Sequence, residues 1–371
     1  MSYEKIKINK IFFLMKKHTN IFFRNIIDSE KLTCYPEEER KSKIQIFFDN
    51  LIWLFRFHQS NENYYLLGFD RRNFKHCKQK YISGRKCAKL IYHKKNQFNR
   101  NADKYNIIVH DKFVAAHYMS SLGFPAPKTI ALVNNEYVTL TESGEEFPLA
   151  FLKSEKKELI KDCICKPVDG WCGIGVFQLS VKEGKLFLNN NESEYQKLRD
   201  LFSTSKYLIQ ERVIQHKKMA GLNPHCVNTI RLVTCFADHR SIEPFAAFVR
   251  IGIGENITDN WHAGGIVVRL NTETGCLEGS GFTMLEHGGK KYERHPETNV
   301  KFDGYAIPFC SQAIDLATRL HRYYYCVHSI GWDIAITEAG PVFIEANQRW
   351  GPDSHFVVED NFMDKFTKYF K

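Results

Sequence analysis

The 371-residue sequence lacks an uninterrupted apolar stretch of the roughly 20 residues that a membrane-spanning helix requires. Its best apolar segment, residues 44–57, is broken by Gln45, Asp49, Asn50 and Arg56. The first residues carry neither the apolar core nor the small-residue cleavage site of a secretory signal. We therefore expect a cytoplasmic protein.

The eleven cysteines do not have the spacing of a disulfide framework or of a metal site. Their number is odd, and Cys163, Cys165 and the isolated Cys172 lack the paired C-x2-C units of a zinc site. Reduced thiols in a cytoplasmic protein agree with this pattern. The sequence also lacks a G-x4-G-K-[ST] phosphate loop and a Ser/His or Cys/His pair of the kind that nucleophilic enzymes use.

Acidic residues are scarce in one region. Residues 51–100 contain twelve Lys and Arg but only Glu62 and Asp70, and the first hundred residues carry a net charge of +13 within a total of +10. Apolar periodicity from Ile6 to Met15 and over 44–54 indicates helices. We predict that residues 1–100 form a basic, largely helical accessory segment.

Two interpretations of this charge remain open. The segment, mainly residues 51–100, contacts an acidic glycan or the anionic inner face of a membrane, or it is a solvated face without a partner. No recognised nucleic-acid module accompanies the charge, so we do not expect nucleic acid to bind. The sequence gives no indication of the oligomeric state.

From residue 101 onward, strands, hairpins and helices alternate in the way that is typical of α+β lobes. A helix is expected from Asp111 to Leu122, ended by Gly123, and a hairpin around Asn134-Asn135. Further helices are predicted at 155–161, near 192–202 and at 308–325. The predicted strands are 129–133, 137–140, 163–168, 176–181, 185–188, 207–213, 229–236, 243–251, 265–270, 328–336 and 341–346.

The first chemical motif runs from Lys166 to Gly175, as Lys-Pro-x-Asp-Gly-Trp-Cys-Gly-Ile-Gly. A strand ends in a lysine, and a glycine-rich turn returns into the next strand. Glycines let main-chain N–H groups approach an anion, and the ammonium group adds a point charge. The motif predicts a phosphate cradle on a hairpin, with a simple turn and a solvated lysine as the alternative.

The second motif, Tyr207 to His216, is an apolar strand that becomes polar. Such a segment can present main-chain groups and one carboxylate to an adenine edge, with ribose contacts a few residues later. Many strands end in polar residues, so this motif is weak by itself.

The strongest motif is the pair of apolar strands joined by Thr-Glu-Ala-Gly-Pro. Asp333 lies near the start of the first strand, and Glu345 and Asn347 lie at the end of the second, which places all three at one end of an antiparallel hairpin. Two carboxylates and an amide oxygen suit Mg2+. The alternative is a solvent-facing strand end.

Cationic residues form a fourth set. Arg231 follows Asn228 into one strand, and Arg250 ends another before the sequence Asp259-Asn260. Arginines at strand ends beside a metal site would neutralise developing phosphoryl charge, although each alone is equally compatible with a surface position.

In this order, the motifs of residues 101–371 resemble the ATP-grasp superfamily. The resemblance implies two α+β lobes that clasp ATP, with a lid subdomain at about 163–213. It implies nucleotide contacts from Lys112, Lys166, Gly173, Gly175, Glu211, Val213 and His216. It assigns catalytic roles to Arg231, Arg250 and Asn260, and the ligation of two Mg2+ ions to Asp333, Glu345 and Asn347.

Within the superfamily, Asn-Trp-His-Ala-Gly-Gly-Ile from residue 260 and His-Pro-Glu-Thr from residue 295 are similar to the sugar-transfer-associated ATP-grasp family. The resemblance implies an ATP- and Mg2+-dependent carboxylate–amine ligase that forms an amide through an acyl phosphate. A surface-polysaccharide sugar or its precursor would be one substrate. The alternatives are an ATP-grasp-like kinase and a nucleotide-binding regulatory protein without turnover.

Overall fold

The computed structural model describes residues 17–74, 81–99, 102–105, 107–154, 158, 160, 162–238, 240–359 and 362–370. Its strands form one sheet of eight and one of seven, and the described strand pairs are antiparallel. Helices pack against both sheets. The predicted α+β class is therefore confirmed.

The eight-stranded sheet has the order β3-β2-β1-β8-β4-β5-β6-β7. Its strands are β1 (Thr129–Asn134), β2 (Tyr137–Leu140), β3 (Glu146–Pro148), β4 (Cys163–Pro167), β5 (Phe177–Lys182), β6 (Lys185–Leu188), β7 (Asn191–Glu192) and β8 (Tyr207–Glu211). Helix α7 (Tyr195–Ser203) covers one face, where Leu198 and Phe202 are fully buried. The predicted lid region supplies β4 to β8.

The seven-stranded sheet has the order β13-β12-β11-β10-β9-β14-β15. Its strands are β9 (Thr229–Phe236), β10 (Ile242–Ile251), β11 (Ile266–Leu270), β12 (Leu277–Phe282), β13 (Lys291–Tyr292), β14 (Ser329–Thr337) and β15 (Gly340–Asn347). Helix α9 (Cys310–Tyr323) covers one face, and its Leu316 and Leu320 share a core with Trp332 of β14.

The N-terminal region is largely helical, as predicted. Its helices are α1 (17–27), α2 (Ser29–Leu32), α3 (Lys43–Phe57) and α4 (Gly84–Phe98), and they are followed by α5 (Ile107–His110) and α6 (Lys112–Ser121). A capping box between Ser42 and Gln45 begins α3, and the Ser83 side chain caps α4. The remaining α-helices of the described residues are α8 (Lys217–Leu222), α10 (Asp353–Val358) and α11 (Phe362–Phe370).

This N-terminal region covers the other face of the seven-stranded sheet. Successive strand residues point to opposite faces, so Leu232 belongs to the core beneath α9 while Val233 belongs to a second core. That second core combines N-terminal residues such as Tyr65 and Phe69 with Phe366 of α11. Residues 17–99 therefore contribute to the hydrophobic core that fixes the large sheet.

Several local predictions agree with the structure. Asp111 caps α6 through a hydrogen bond from the Val114 amide, and Gly123 follows the helix at a φ of 74°. The hairpin turns at Asn135, which has a φ of 55°. The helix expected near 192–202 begins only at Tyr195, because Asn191–Glu192 pairs with β6.

Two predicted helices fall mainly outside the described residues. Of the helix predicted at 155–161 the structure describes only residues 158 and 160, and the periodic segment from Ile6 to Met15 also lies outside. Within the described part of the chain, no helix has both the length and the apolar character needed to cross a bilayer.

Candidate functional site

A cavity of about 1110 Å³ collects residues from both sheets and from the N-terminal region. The predicted site residues that line it are Lys112, Lys166, Gly173, Glu211, Val213, Arg231, Arg250, Asn260, Asp333, Glu345 and Asn347. Gly175 and His216 are not among its lining residues. Positions up to 235 residues apart in sequence are thus brought to one place.

Asp333 is the electrostatic centre of this cavity. Strand pairing places it beside Arg231 on β9 and beside Glu345 on β15. Arg231 donates hydrogen bonds to both carboxylate oxygens of Asp333, and the Arg250 Nη2 lies 3.0 Å from Oδ2. Burial opposes the ionisation of Asp333, but the two arginines still hold its pKa below the usual range.

Arg250 is held by a second carboxylate, which the sequence analysis did not identify as functional. Its Nη2 lies 3.4 Å from Asp259 Oδ1, and its Nε donates to Thr229 Oγ1 at 3.1 Å. Burial would lower the pKa of Arg250, but the carboxylates of Asp259 and Asp333 outweigh it and raise that pKa. The guanidinium stays charged inside the cavity. The only available sequence signal was the position of Asp259 directly before Asn260.

Two lysines approach the same carboxylates. Lys166, near the end of β4, is buried, and this burial lowers its pKa to about 8, with Lys112 adding to the effect and Glu345 opposing it. Lys112 begins α6, donates to the Gly170 carbonyl and lies 3.8 Å from Glu345 Oε1. The site therefore holds two lysines and two arginines, which is an environment for a polyanion.

The loop between β4 and β5 has the backbone shape that its glycines require. Gly173 and Gly175 have φ values of 72° and 76°, in the left-handed region. A Cβ on Gly175 would also lie 2.9 Å from Pro167 Cγ. Gly175 therefore shapes the turn without lining the cavity, while Trp171 and Ile174 are 67 % and 72 % exposed at its tip.

The end of β8 contributes to the cavity only in part. Glu211 and Val213 line it, whereas His216 caps α8. The His216 Nδ1 accepts a hydrogen bond from the Lys218 amide at 3.0 Å, and its Nε2 lies 3.3 Å from Glu338. Both ring nitrogens therefore already have partners, and the predicted ribose contact of His216 remains a prediction.

Asn260 has a local structural role in addition to lining the cavity. Its Oδ1 accepts a hydrogen bond from the His262 amide at 3.0 Å, which begins a short 3-10 helix at Trp261. The chain leaves that helix through Gly264, at a φ of 97°, and Gly265. A Cβ on Gly265 would lie 2.3 Å from the Asp259 carbonyl oxygen, so glycine is required at this close approach.

The donor set fits a hard divalent cation. Asp333, Glu345 and Asn347 supply only oxygen donors toward such an ion, and Asn347 Nδ2 lies 3.4 Å from Asp333 Oδ2. Within the described residues, no group of three His, Cys, Asp or Glu side chains could hold a metal. A bound ion would therefore rest on two carboxylates and one amide, with the Asp333 oxygens shared with Arg231 and Arg250.

Sequence analysis did not identify a further wall of the cavity. It consists of residues from the loop after α3, from the start of α4 and from the start of α10. They include Trp53, Asn61, Glu62, Asn63, Gly84, Arg85 and Asp353. No local motif marks them, because they meet only through packing of the N-terminal region on the large sheet.

Two antiparallel sheets around a shared cavity with this set of cations and carboxylates define the ATP-grasp class of fold. Residues 93–363 match the family described as sugar-transfer associated ATP-grasp, which is more than half of the chain. The chain belongs to this family. A search of curated proteins gave no significant match.

Solved structures with a similar fold are ATP-dependent enzymes of low sequence identity. D-alanine–D-alanine ligase from Bacillus anthracis in complex with ATP is 11 % identical with a TM-score of 0.35, over 71 % of this chain and 64 % of that one. N5-carboxyaminoimidazole ribonucleotide synthetase from Thermotoga maritima is 13 % identical with a TM-score of 0.35, over 70 % and 48 %. The matches span less than two thirds of those proteins, and likeness at this level does not identify a substrate.

Proposed function

We propose that the protein is an ATP- and Mg2+-dependent ligase that joins a carboxylate to an amine. The observation that carries the proposal is the convergence of Lys112, Lys166, Arg231 and Arg250 with Asp333, Glu345 and Asn347 in one cavity. Membership of the ATP-grasp family supports the same reading.

The proposed reaction has two steps. A substrate carboxylate oxygen attacks the γ-phosphorus of ATP, the bond to the β-phosphate oxygen breaks, and ADP leaves. The amine nitrogen then attacks the carbonyl carbon of the acyl phosphate. The C–O bond to phosphate breaks, the amide forms, and the proton lost from nitrogen leaves with the phosphate.

The four cations have distinct positions in this scheme. Lys112 and Lys166, near the glycine-rich loop, bind and orient the phosphates, and Arg231 and Arg250 stabilise the charge on the transferred phosphoryl group. Mg2+, held by Asp333, Glu345 and Asn347, supplies charge neutralisation when bound. We keep two ions as the proposed number.

The remaining predicted residues bind the nucleoside or shape the site. Glu211 and Val213, at the end of β8, offer a carboxylate and main-chain groups to the adenine edge. Asn260 positions the loop beside Arg250, and the loop containing Gly173 and Gly175 excludes water from the acyl phosphate, which water would hydrolyse. We also keep cytoplasmic localisation as a proposal.

The products separate a ligase from its alternatives. The protein is incubated with ATP, Mg2+ and pools of amino acids and uronic acids, and ADP, free phosphate and amide are measured. A ligase releases all three in equal amounts. A kinase gives ADP and a phosphorylated product without free phosphate, and a non-catalytic protein binds ATP without release of ADP. Either of these outcomes would contradict the proposal.

The family description further suggests a sugar-bearing substrate, such as a uronic acid of a surface polysaccharide or its precursor. The same assay tests this suggestion when uronic acids are compared with unmodified sugars and simple carboxylic acids. ADP release that depends on the uronic acid supports it. Equal release with simple carboxylates removes the sugar from the proposal.

We also propose that the N-terminal region rests on an anionic membrane surface. On α3, Ile44, Phe48, Ile52 and Phe55 follow helical spacing and are 54 % to 73 % exposed, and basic residues predominate in this region. The cations emphasised by the sequence analysis are less available, because Arg71 pairs with Glu38 and Arg72 with Glu39.

Sedimentation with vesicles tests this contact. Vesicles that contain phosphatidylserine should bind the protein, neutral vesicles should bind it weakly, and Phe48→Ser with Phe55→Ser should release it. Reversal of Arg71, Arg72, Lys75 and Lys78 is the comparison, although Lys75 and Lys78 lie outside the described residues. Absence of binding to both kinds of vesicle overturns the proposal, and binding to acidic polysaccharide alone reassigns the contact to a glycan.

A further inference from the structure

The wall that the N-terminal region adds to the cavity differs in charge from the part that holds the four cations. We call it the acidic wall and define it as Asn61, Glu62, Asn63, Gly84 and Asp353, all of which line the cavity. These residues come from the loop after α3, the first position of α4 and the first position of α10.

Hydrogen bonds connect the loop to the Asp353 carboxylate. The Asn63 amide N donates to Asn61 Oδ1 at 3.1 Å, and the Asn63 Nδ2 donates to Asp353 Oδ1 at 3.3 Å. The backbone of α4 closes the other side, because a Cβ on Gly84 would lie 2.6 Å from Asp353 Oδ1. The carboxylate is thus confined between two N-terminal elements.

Asp353 has no cationic partner among the residues that the structure describes. Glu62 pairs with Lys17 at 3.1 Å, at an exposed position. Arg85 and Arg349 also line the cavity, but neither lies within ion-pair distance of Glu62 or Asp353 in the described chain. Burial, with a further contribution from Glu62, raises the pKa of Asp353 to about 6. A cationic ligand would remove this unfavourable arrangement.

Two buried donors beside the wall also have no hydrogen-bond partner in the described residues. Asn61 is 4 % exposed, and because its Oδ1 accepts from Asn63, its unpartnered atom is the donor Nδ2. Trp53 is 9 % exposed, lines the cavity and has an unpartnered Nε1. A buried donor without an acceptor costs about 1–3 kcal/mol, so both positions favour a ligand that brings an acceptor.

We propose that the acidic wall binds the amine substrate in its ammonium form, with Glu62 and Asp353 holding the cation and Asn61 and Trp53 holding an acceptor of the same molecule. This inference rests on the proposed ligase function and names its second substrate as a primary amine that also carries hydroxyl or carboxylate groups. The carboxylate substrate would be repelled here and attracted to Arg231 and Arg250. The cavity therefore sorts its two organic substrates by charge.

Binding to the full chain, loaded with Mg2+ and a non-hydrolysable ATP analogue, tests the assignment. The probes are L-serine and glucosamine, each paired with its hydroxyl counterpart, glycerate and glucose. We expect calorimetry to detect at least one amine below roughly 10 mM, about ten times the upper end of usual KM values. We expect the counterparts not to bind. Asp353→Asn and Glu62→Gln should each weaken amine binding at least tenfold, while Glu39→Gln, which neutralises a glutamate paired with Arg72, should not.

Stability separates a binding role of Asp353 from a structural one. A carboxyl whose pKa rises from 3.8 to about 6 on folding stabilises the fold below pH 4 and loses that contribution as the pH increases through 6. Asp353→Asn should therefore raise the unfolding midpoint at pH 7. A lower midpoint would indicate a structural carboxylate and would overturn the assignment.

The remaining outcomes are also decisive. Equal binding of the amines and their counterparts, unchanged amine binding in both variants, or binding of neither amine to the nucleotide-loaded protein would each overturn the acidic wall as an amine site. Failure of the wild-type protein to bind the ATP analogue would instead contradict the proposed function. The two failures are therefore distinguishable within one set of titrations.

Discussion

The two parts of the cavity wall are built on different principles. The cationic part rests on strand ends, where Arg231, Asp333 and Glu345 are neighbours through pairing of β9, β14 and β15. The acidic wall rests on loop and helix ends from distant parts of the chain. The first has charges matched by close partners, and the second has an unmatched carboxylate and unpartnered donors. Matched charges make a rigid receptor for phosphates, whereas unmatched groups favour a ligand of complementary charge.

The largest effect should come from breaking the charge matching at Asp333. Asp333→Asn leaves Arg231 and Arg250 with less compensation in a buried site, which should lower the free energy of unfolding by about 3–5 kcal/mol and abolish ADP release. Denaturant titration and an ADP-release assay measure both. Glu345→Gln is the matched control: its nearest cation, Lys112, is 3.8 Å away, so turnover should fall while stability changes little. Equal loss of stability in both variants would contradict the distinction.

Phe69→Ala tests whether the two parts depend on one fold. Phe69 is 2 % exposed in the core shared by the N-terminal region and the large sheet. Removing the ring should lower the free energy of unfolding by about 3–5 kcal/mol. Circular dichroism and nucleotide protection should report a single transition at a lower midpoint. A separate early transition, with nucleotide protection unchanged, would show that the N-terminal region folds independently.

The pH dependence of nucleotide binding should distinguish the cationic part from the acidic wall. The Lys166 pKa of about 8 means that its ammonium, the form that binds phosphate, is lost from the free protein above that pH. Affinity for the ATP analogue should be flat below pH 8 and then fall by up to about tenfold per pH unit. Lys166→Arg, which stays charged, should remove the fall. Calorimetry between pH 7 and about 9.5 gives the profile, and a fall that persists in the arginine variant would point to another group.

The smallest change should affect the acidic wall alone. A Cβ at Gly84 would lie 2.6 Å from Asp353 Oδ1, and the Asp353 side chain must move to admit it. Since alanine is a better helix former than glycine, Gly84→Ala should leave the fold intact. Amine binding should weaken several-fold while affinity for the nucleotide is unchanged. If both affinities fell together, the two parts of the cavity would not be separable.

The reach of the sequence follows the same division. Asp333, Glu345 and Asn347 were predictable as neighbours because a short turn joins their strands and sets their register. The cap at Asp111, the left-handed glycines of the β4–β5 loop and the alternation of the strands are also local properties. His216 shows a limit, because its position after an apolar strand did not reveal that its ring caps α8 and contacts Glu338.

By itself, the sequence determined the α+β class, the hairpin that carries the candidate metal ligands and the set of cations available for a polyanion. Each follows from residues close together in the chain, whose geometry is limited by backbone dihedral angles and strand periodicity. Only the tertiary structure decided that the basic N-terminal region also supplies an acidic wall. Glu62 and Asp353 are 291 residues apart, and their meeting depends on burial of aromatic side chains against the large sheet, which no local pattern encodes.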